Sequence, residues 1–183
     1  MAHVYGSRNV EMKGKSIIYP NAYVRGDFAR VRIGRYCDIG EGTLIRPPFD
    51  PHAYIDTKEK IDKSKNAVDA KSRNKSTPSG FLPLLIGSHT HIGSNCVIEA
   101  SSIGSRVSIG DNCVIGQRAV IKDCCRIESG TVIPDGMNIP PFSIVRGIPG
   151  RILLDHTLPE SWVVEMVDDS VQVFENFVTN QTE

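Results

Sequence analysis

LLIGSHTHIGSNCVIEASSIGSRVSIGDNCVIGQRAVIKDCCRIESGTVIPDGMNIP, running from Leu84 to Pro140, decides the fold. Isoleucine stands at positions 86, 92, 98, 103, 109, 115, 121, 127, 133 and 139, and every interval is six residues except the five from Ile98 to Ile103. Two residues before each isoleucine lies a mostly small or β-branched residue, as in Thr90, Cys96, Ser101, Val107, Cys113, Ala119 and Thr131. Glycine often follows, as in Ile86-Gly87, Ile103-Gly104 and Ile115-Gly116. A period of six is the signature of a parallel β-helix.

The physics of a strand explains the period. Side chains alternate between two faces, so each isoleucine and the residue two places earlier point into one shared interior. Glycine relieves crowding where the backbone turns. Three six-residue sides close one triangular coil of about eighteen residues, and successive coils pair at roughly 4.8 Å, stacking isoleucine on isoleucine. Coils of this type wind left-handed, against the usual right-handed crossover of parallel strands. The expected fold is therefore an all-β left-handed parallel β-helix of about five to six coils, with an inserted loop and a C-terminal amphipathic α-helix.

Working outward, residues Val10 to Ile45 carry a weaker version of the register, with Ile18, Val24, Ile33, Ile39 and Ile45 in the repeat position. The nine residues from Val24 to Ile33 contain Arg25-Gly26-Asp27, three too many for a plain side, and read as a longer corner, across which Arg25 and Asp27 pair or from which they reach out to a neighbouring surface. From Pro47 to Phe81 the register disappears. Pro47-Pro48 interrupts the ladder, and a polar segment follows with a basic cluster from Lys58 to Lys75. An insertion of this length is either functional or simply tolerated. Its basic cluster suits an acidic surface such as an actin-like or tubulin-like filament, or equally a solvated loop with no required role.

Past the repeats, Pro134, Pro140, Pro141 and Pro149 end the ladder, and Arg146-Gly147-Ile148-Pro149-Gly150 makes the exit turn. Thr157 and Glu160 have the spacing of a capping box. Trp162, Val163, Met166, Val167, Val171, Phe174, Phe177 and Val178 then predict an amphipathic helix of four to five turns, laid over the β-helix as a cover or offered to a partner's groove. The expected division is residues 1–153 for the β-helix, with its polar insertion at about 47–82, and 154–183 for the packed helix.

With 183 residues, 40% of them hydrophobic, the chain suits one compact domain. Lys+Arg and Asp+Glu both count 21, so no global field favours nucleic acid or a membrane surface. No apolar run is long enough to span a bilayer, and Met1-Ala2-His3-Val4-Tyr5 lacks a signal-peptide core, which points to the cytoplasm. Of five cysteines, Cys37, Cys96, Cys113 and Cys125 fall on inward repeat positions, with Cys96 stacked beneath Cys113. They read as small core residues. Cys124-Cys125 has no CxxC partner that would make a zinc site.

Arg25-Gly26-Asp27, the run from Ile33-Gly34 onward, and Gly147-Ile148-Pro149-Gly150 resemble the γ-carbonic anhydrase family. That resemblance implies three metal-binding histidines, and by register the corresponding positions here are Arg46, Ser94 and Glu99. None is histidine. A permanent guanidinium, a hydroxyl and a lone carboxylate cannot replace three neutral imidazoles around zinc, so no metal, cofactor or catalytic residue is expected. His89 and His91 alternate along one strand and lack a third ligand. A hexapeptide acyltransferase would need a histidine base; His52 is the only loop candidate, and nothing around it suggests a cofactor site.

A closer resemblance rests on Ile45-Arg46-Pro47-Pro48-Phe49, Phe81-Leu82-Pro83-Leu84-Leu85-Ile86-Gly87, Asn112-Cys113-Val114-Ile115-Gly116, Lys122-Asp123-Cys124-Cys125 and Ile139-Pro140-Pro141-Phe142. These runs are similar to the dynactin subunit 5 family over Ile17 to about Arg151, and several are not dictated by the repeat. The insertion is longer and the amino-terminal segment shorter than in animal members. The resemblance implies a non-enzymatic scaffold of the dynactin pointed-end complex that helps dynein hold cargo such as early endosomes. Its implied partners are dynactin subunit 6 as a β-helical heterodimer partner, the pointed-end actin-related protein, the zinc-motif dynactin subunit and dynein cargo adaptors. Its implied location is cytoplasmic and microtubule-associated. The alternative is a γ-carbonic-anhydrase-like or acyltransferase enzyme.

Overall fold

A computed structural model describes residues 1–55 and 80–180. The Lys58 to Lys75 cluster lies outside the described residues. Within them the chain winds through six coils of a left-handed parallel β-helix. The first coil holds β1 (His3–Tyr5), β2 (Val10–Met12) and β3 (Ile17–Ile18); the second holds β4 (Tyr23–Arg25), β5 (Val31–Ile33) and β6 (Asp38–Ile39). The third comprises β7 (Leu44–Ile45), β8 (Leu84–Ile86) and β9 (His91–Ile92), and the fourth β10 (Val97–Ile98), β11 (Ser102–Ile103) and β12 (Ser108–Ile109). The fifth has β13 (Val114–Ile115), β14 (Val120–Ile121) and β15 (Arg126–Ile127), the sixth β16 (Val132–Ile133), β17 (Asn138–Ile139) and β18 (Ser143–Arg146). Strand β19 (Arg151–Thr157) and helix α1 (Glu160–Thr179) complete the chain.

Stacking the coils makes a three-sided prism. Face A is β1-β4-β7-β10-β13-β16, face B is β2-β5-β8-β11-β14-β17, and face C is β3-β6-β9-β12-β15-β18, closed by β19. Pairing puts Val24, Ile45, Ile98, Ile115 and Ile133 in one inward column, Ile33, Ile86, Ile103, Ile121 and Ile139 in the second, and Ile39, Ile92, Ile109, Ile127 and Val145 in the third. All of these are buried. Each fully buried side chain of this size contributes roughly 1.5–3 kcal/mol, so the columns dominate the fold's stability. The ladder starts earlier than the residue pattern implies, because His3–Tyr5 pairs with Tyr23–Arg25 and adds a coil.

Every departure from the six-residue step falls on the corner between faces A and B. There the inward residues run Val4 to Met12, Val24 to Ile33, Ile45 to Ile86, Ile98 to Ile103, Ile115 to Ile121 and Ile133 to Ile139, steps of 8, 9, 41, 5, 6 and 6. The long Arg25-Gly26-Asp27 corner, the insertion and the single short step are thus stacked along one edge. Elsewhere the corner is uniform. Its glycine allows close approach of the next coil: a Cβ on Gly104 would lie 2.4 Å from Asp123 Oδ1 and 2.6 Å from Asp123 N. Below it the Ser105 amide donates to that carboxylate at 2.7 Å.

The free cysteines are buried. Cys96 and Cys113 sit one coil apart, with the Cys113 amide directed at Cys96 Sγ at 3.4 Å. The thiols of Cys37, Cys96 and Cys125 donate to carbonyls of Gly87, Gly110 and Pro140 in the next coil.

Two local expectations fail at the C-terminal end. Thr157 does not cap α1, because it is held extended opposite Ser143 in an antiparallel pair with β18; the helix begins at Glu160 after Pro159, with no side-chain cap. Val178 is exposed, and Ser170 takes a place on the inward stripe with Trp162, Val163, Met166, Val167, Val171, Phe174 and Phe177. At about 1.5 Å per residue the 20 residues of α1 span some 30 Å, enough to run the length of the prism.

Candidate functional site

Two surfaces gather the chemistry-bearing residues. The first lies where α1 meets face C. The corner between faces B and C carries a left-handed residue three places before each inward residue: Lys15, Tyr36, His89, Arg106, Cys124 and Phe142, with φ between 52° and 62°. Non-glycine residues in this conformation are disfavoured by roughly 1–2 kcal/mol each, yet large side chains fill the column. Contacts with one another and with α1 offset that cost. Tyr36 and His89 stack at 5.2 Å, Lys15 Nζ donates to the Tyr36 hydroxyl, Phe174 meets Tyr36 edge-on at 6.1 Å, and Phe177 meets Tyr19 at 6.2 Å.

His89 is therefore a corner residue rather than a strand neighbour of His91, and the expectation that both project from one strand is corrected. Its left-handed φ turns the ring sideways toward α1, where Nδ1 lies 2.6 Å from Ser170 Oγ. Burial, then the positive charge of Arg106, pushes its pKa down. His91 instead projects from face C and bonds Asp38 through Nδ1 at 2.5 Å, which raises its pKa. Tyr19, Asp38, His91, Ser108, Asp169 and Val173 are among the residues lining a cavity of about 510 Å³ beneath the helix.

The second surface is the A–B edge. Arg25 grips Asp27 through two hydrogen bonds of 2.8 Å and lies 4.3 Å over the Phe28 ring; the guanidinium holds the Asp27 carboxyl below its ordinary pKa. Of the two alternatives for Arg25 and Asp27, the pair across the corner is the one formed. Phe28 stacks on Phe81 at 4.5 Å, and Phe49 meets Phe81 at 5.2 Å, an aromatic clasp across the base of the insertion reinforced by Asp50 N to Gly80 O at 2.7 Å. His52 is exposed on a helical turn at 51–55, its amide bonded to Asp50 Oδ1.

Of the three positions aligned with a zinc centre, Arg46 and Glu99 follow β7 and β10 in adjacent coils and form a direct ion pair. Ser94 lies on the corner between faces C and A, where its amide donates to Asp111 Oδ1 at 2.7 Å. One chain brings Arg46 and Glu99 together and leaves Ser94 at another edge. Among the described residues, no three His, Cys, Asp or Glu side chains are grouped to hold a metal, and no helix is long and apolar enough to cross a membrane. The residue pattern does not reveal β19, Ser170 or the role of Tyr36. The short apolar run Ile152-Leu153-Leu154 after Gly150 is the signal for the first; nothing local marks the others.

A six-coil prism of hexapeptide sides with a terminal helix over one face defines a hexapeptide-repeat left-handed β-helix protein. In fold it is similar to an N-acyltransferase from Bacillus cereus solved with dTDP-4-amino-4,6-dideoxyglucose and coenzyme A, with a TM-score of 0.61 at 12% identity over 94% of this chain and 85% of that one. A maltose O-acetyltransferase from Clostridium difficile 630 matches with a TM-score of 0.50 at 19% identity over 87% and 65%. At such identities the likeness is one of fold alone. The chain belongs to the dynactin subunit 5 family, whose model matches residues 54–182. It is also 36% identical over 100 residues to "Dynactin subunit 5" of Dictyostelium discoideum, a match covering 55% of this chain and 39% of that relative's length.

Proposed function

We propose that this chain is a non-catalytic scaffold subunit of the dynactin pointed-end complex, in the cytoplasm on the microtubule cytoskeleton. The family match over residues 54–182 carries this reading. In it the chain pairs side by side with dynactin subunit 6, joins the pointed-end actin-related protein and the zinc-motif subunit, and helps dynein hold cargo such as early endosomes through adaptors. A stiff prism suits that task because its faces change little on binding. The Arg46–Glu99 pair supports the absence of a zinc centre, since each charge neutralises the other where a metal would need imidazoles.

The test is an affinity capture of the tagged chain from its own cytoplasm, with zinc content and carbon dioxide hydration measured on the same preparation. Stoichiometric recovery of dynactin components without metal or hydration is the expected result. Recovery of a zinc-bearing homotrimer with activity would restore the enzyme reading.

A further inference from the structure

At the open end of the prism, the corner between faces B and C is built from two stacked turns, Lys13-Gly14-Lys15-Ser16 in the first coil and Gly34-Arg35-Tyr36 in the second. Farther along this corner each left-handed residue donates its amide to the coil before it: His89 N to Arg35 O at 2.8 Å, Arg106 N to Ser88 O at 2.9 Å and Cys124 N to Ser105 O at 3.0 Å. Lys15 holds the same position in the first coil, with φ 52°, and no coil precedes it. By that geometry its amide is aimed out of the open end.

A cavity of about 260 Å³ lies here, lined by Lys13, Lys15, Arg35 and Tyr36. It is smaller than the roughly 300–1,000 Å³ of drug-sized sites, so it suits a compact occupant. Lys13, Lys15 and Arg35 are exposed and gather three positive charges in a chain whose formal net charge is zero. Among the described residues none of the three meets a carboxylate, because the acids nearest in sequence are engaged elsewhere, Glu11 with Arg32 at 3.1 Å and Asp38 with His91. Lys15 Nζ donates to the Tyr36 hydroxyl at 2.9 Å, so the phenol oxygen accepts and its own proton is left to donate into the cavity.

Two ammonium groups, a guanidinium and a phenol O–H make a lining of donors, suited to a ligand that only accepts. A phosphate group brings about 1.5–2 negative charges and three strong acceptor oxygens, so two such groups balance the three cations where a single carboxylate cannot. The planar fork of Arg35 matches two phosphate oxygens at once.

We infer that this corner binds a compact anion bearing two or more phosphate groups, held by Lys13, Lys15 and Arg35 with Tyr36 donating a further hydrogen bond. A soluble inositol phosphate or polyphosphate and the headgroup of a phosphoinositide present the same chemistry. Tyr36 also stacks on His89 and meets Phe174 of α1, so an anion on its hydroxyl strengthens the hold of the helix on the prism. The site is independent of assembly into a larger complex.

The experiment is calorimetric titration of the full-length chain with inositol trisphosphate and with tripolyphosphate, beside a glutamate-rich peptide of equal charge. Wild type is compared with Lys13→Ala/Arg35→Ala, Tyr36→Phe and a charge-matched control away from the cavity, Lys122→Ala/Arg151→Ala; thermal melting checks that each variant folds. Wild type is expected to bind the phosphate probes at one site, roughly ten-fold or more tightly than Lys13→Ala/Arg35→Ala and about three-fold more tightly than Tyr36→Phe, with the control within two-fold of wild type. No binding of either phosphate probe by wild type, equal loss in the control, or equal affinity for the peptide overturns the assignment. Flotation with vesicles containing phosphatidylinositol bisphosphate, beside phosphatidylserine vesicles of matched charge, separates the sources. Flotation with the former alone, lost in Lys13→Ala/Arg35→Ala, supports the headgroup, and binding of the free probes without flotation supports a soluble ligand. Equal flotation with both vesicles, unchanged in that variant, counts against the site.

Discussion

Ser170 of α1 holds His89 of the third coil across 81 positions of sequence, with 2.6 Å between the hydroxyl and Nδ1. The same hydroxyl lies 2.8 Å from the Val167 carbonyl and donates to it, so it accepts from His89, and the ring carries its proton on Nδ1. The helix is tied to the prism through this histidine, whose pKa burial and Arg106 push down.

That tie and its neighbour respond oppositely to pH. His89 has its pKa lowered, so its contribution is complete above the ordinary value of 6.5 and lost as pH falls through the lower folded value; His91 has its pKa raised, so its contribution is complete below 6.5 and lost as pH rises through the folded value. Thermal midpoints measured from pH 5 to 8.5 should show His89→Gln furthest below wild type at alkaline pH and His91→Gln furthest below it at acid pH.

Gly104→Ala should cost about 1–3 kcal/mol in denaturant unfolding, because the new Cβ would meet both the backbone and the carboxylate of Asp123. Removing the carboxylate as well, in Gly104→Ala/Asp123→Gly, should recover less than half of the loss, since the backbone contact remains.

Tyr36→Gly relieves a left-handed residue yet should destabilise by about 2 kcal/mol, because it deletes the stack on His89 and the contact with Phe174. Asn95→Gly, at the same kind of φ on another corner, should stay within about 0.5 kcal/mol of wild type. Equal effects from the two substitutions would refute the docking role of the tyrosine.

Thr157→Ala should change stability by less than about 0.5 kcal/mol, where loss of a true N-cap costs about 1 kcal/mol. The absence of a side-chain cap on α1 makes the measurement decisive.

Thiol chemistry reads the core directly. Burial pushes Cys37 and Cys125 up to about 11. At pH 8 the native protein should show little fast reaction with a disulfide reagent and all five thiols after denaturation. Rapid reaction of one thiol in the native state would mean that a coil opens.

The inward columns were legible because an isoleucine every six residues is a geometric statement about strands, and Ile86 to Ile139 carry it with one five-residue step, from Ile98 to Ile103. The Arg25–Asp27 pair was legible for the same reason, since an overlong corner brings its own residues together. His89 was not. Its direction depends on a left-handed φ shared with Tyr36 and Arg106, and no residue type in that column announces it as glycine or asparagine would. Thr157 misled because capping chemistry is local, while the pairing opposite Ser143 that overrides it is not. The Arg46–Glu99 contact required knowing that β7 and β10 are neighbours across a 53-residue separation.

Stacking all irregular steps on one edge has an entropic consequence. The other two corners set the pitch, so length entering at Ile45 to Ile86 leaves the winding of the coils above and below untouched. Closing a loop costs about (3/2)RT ln n, so lengthening that corner from the 9 residues of the second coil to the 41 of the third adds only about 1.3 kcal/mol. A solenoid built this way can acquire new sequence along a single seam for less than the loss of one buried isoleucine side chain.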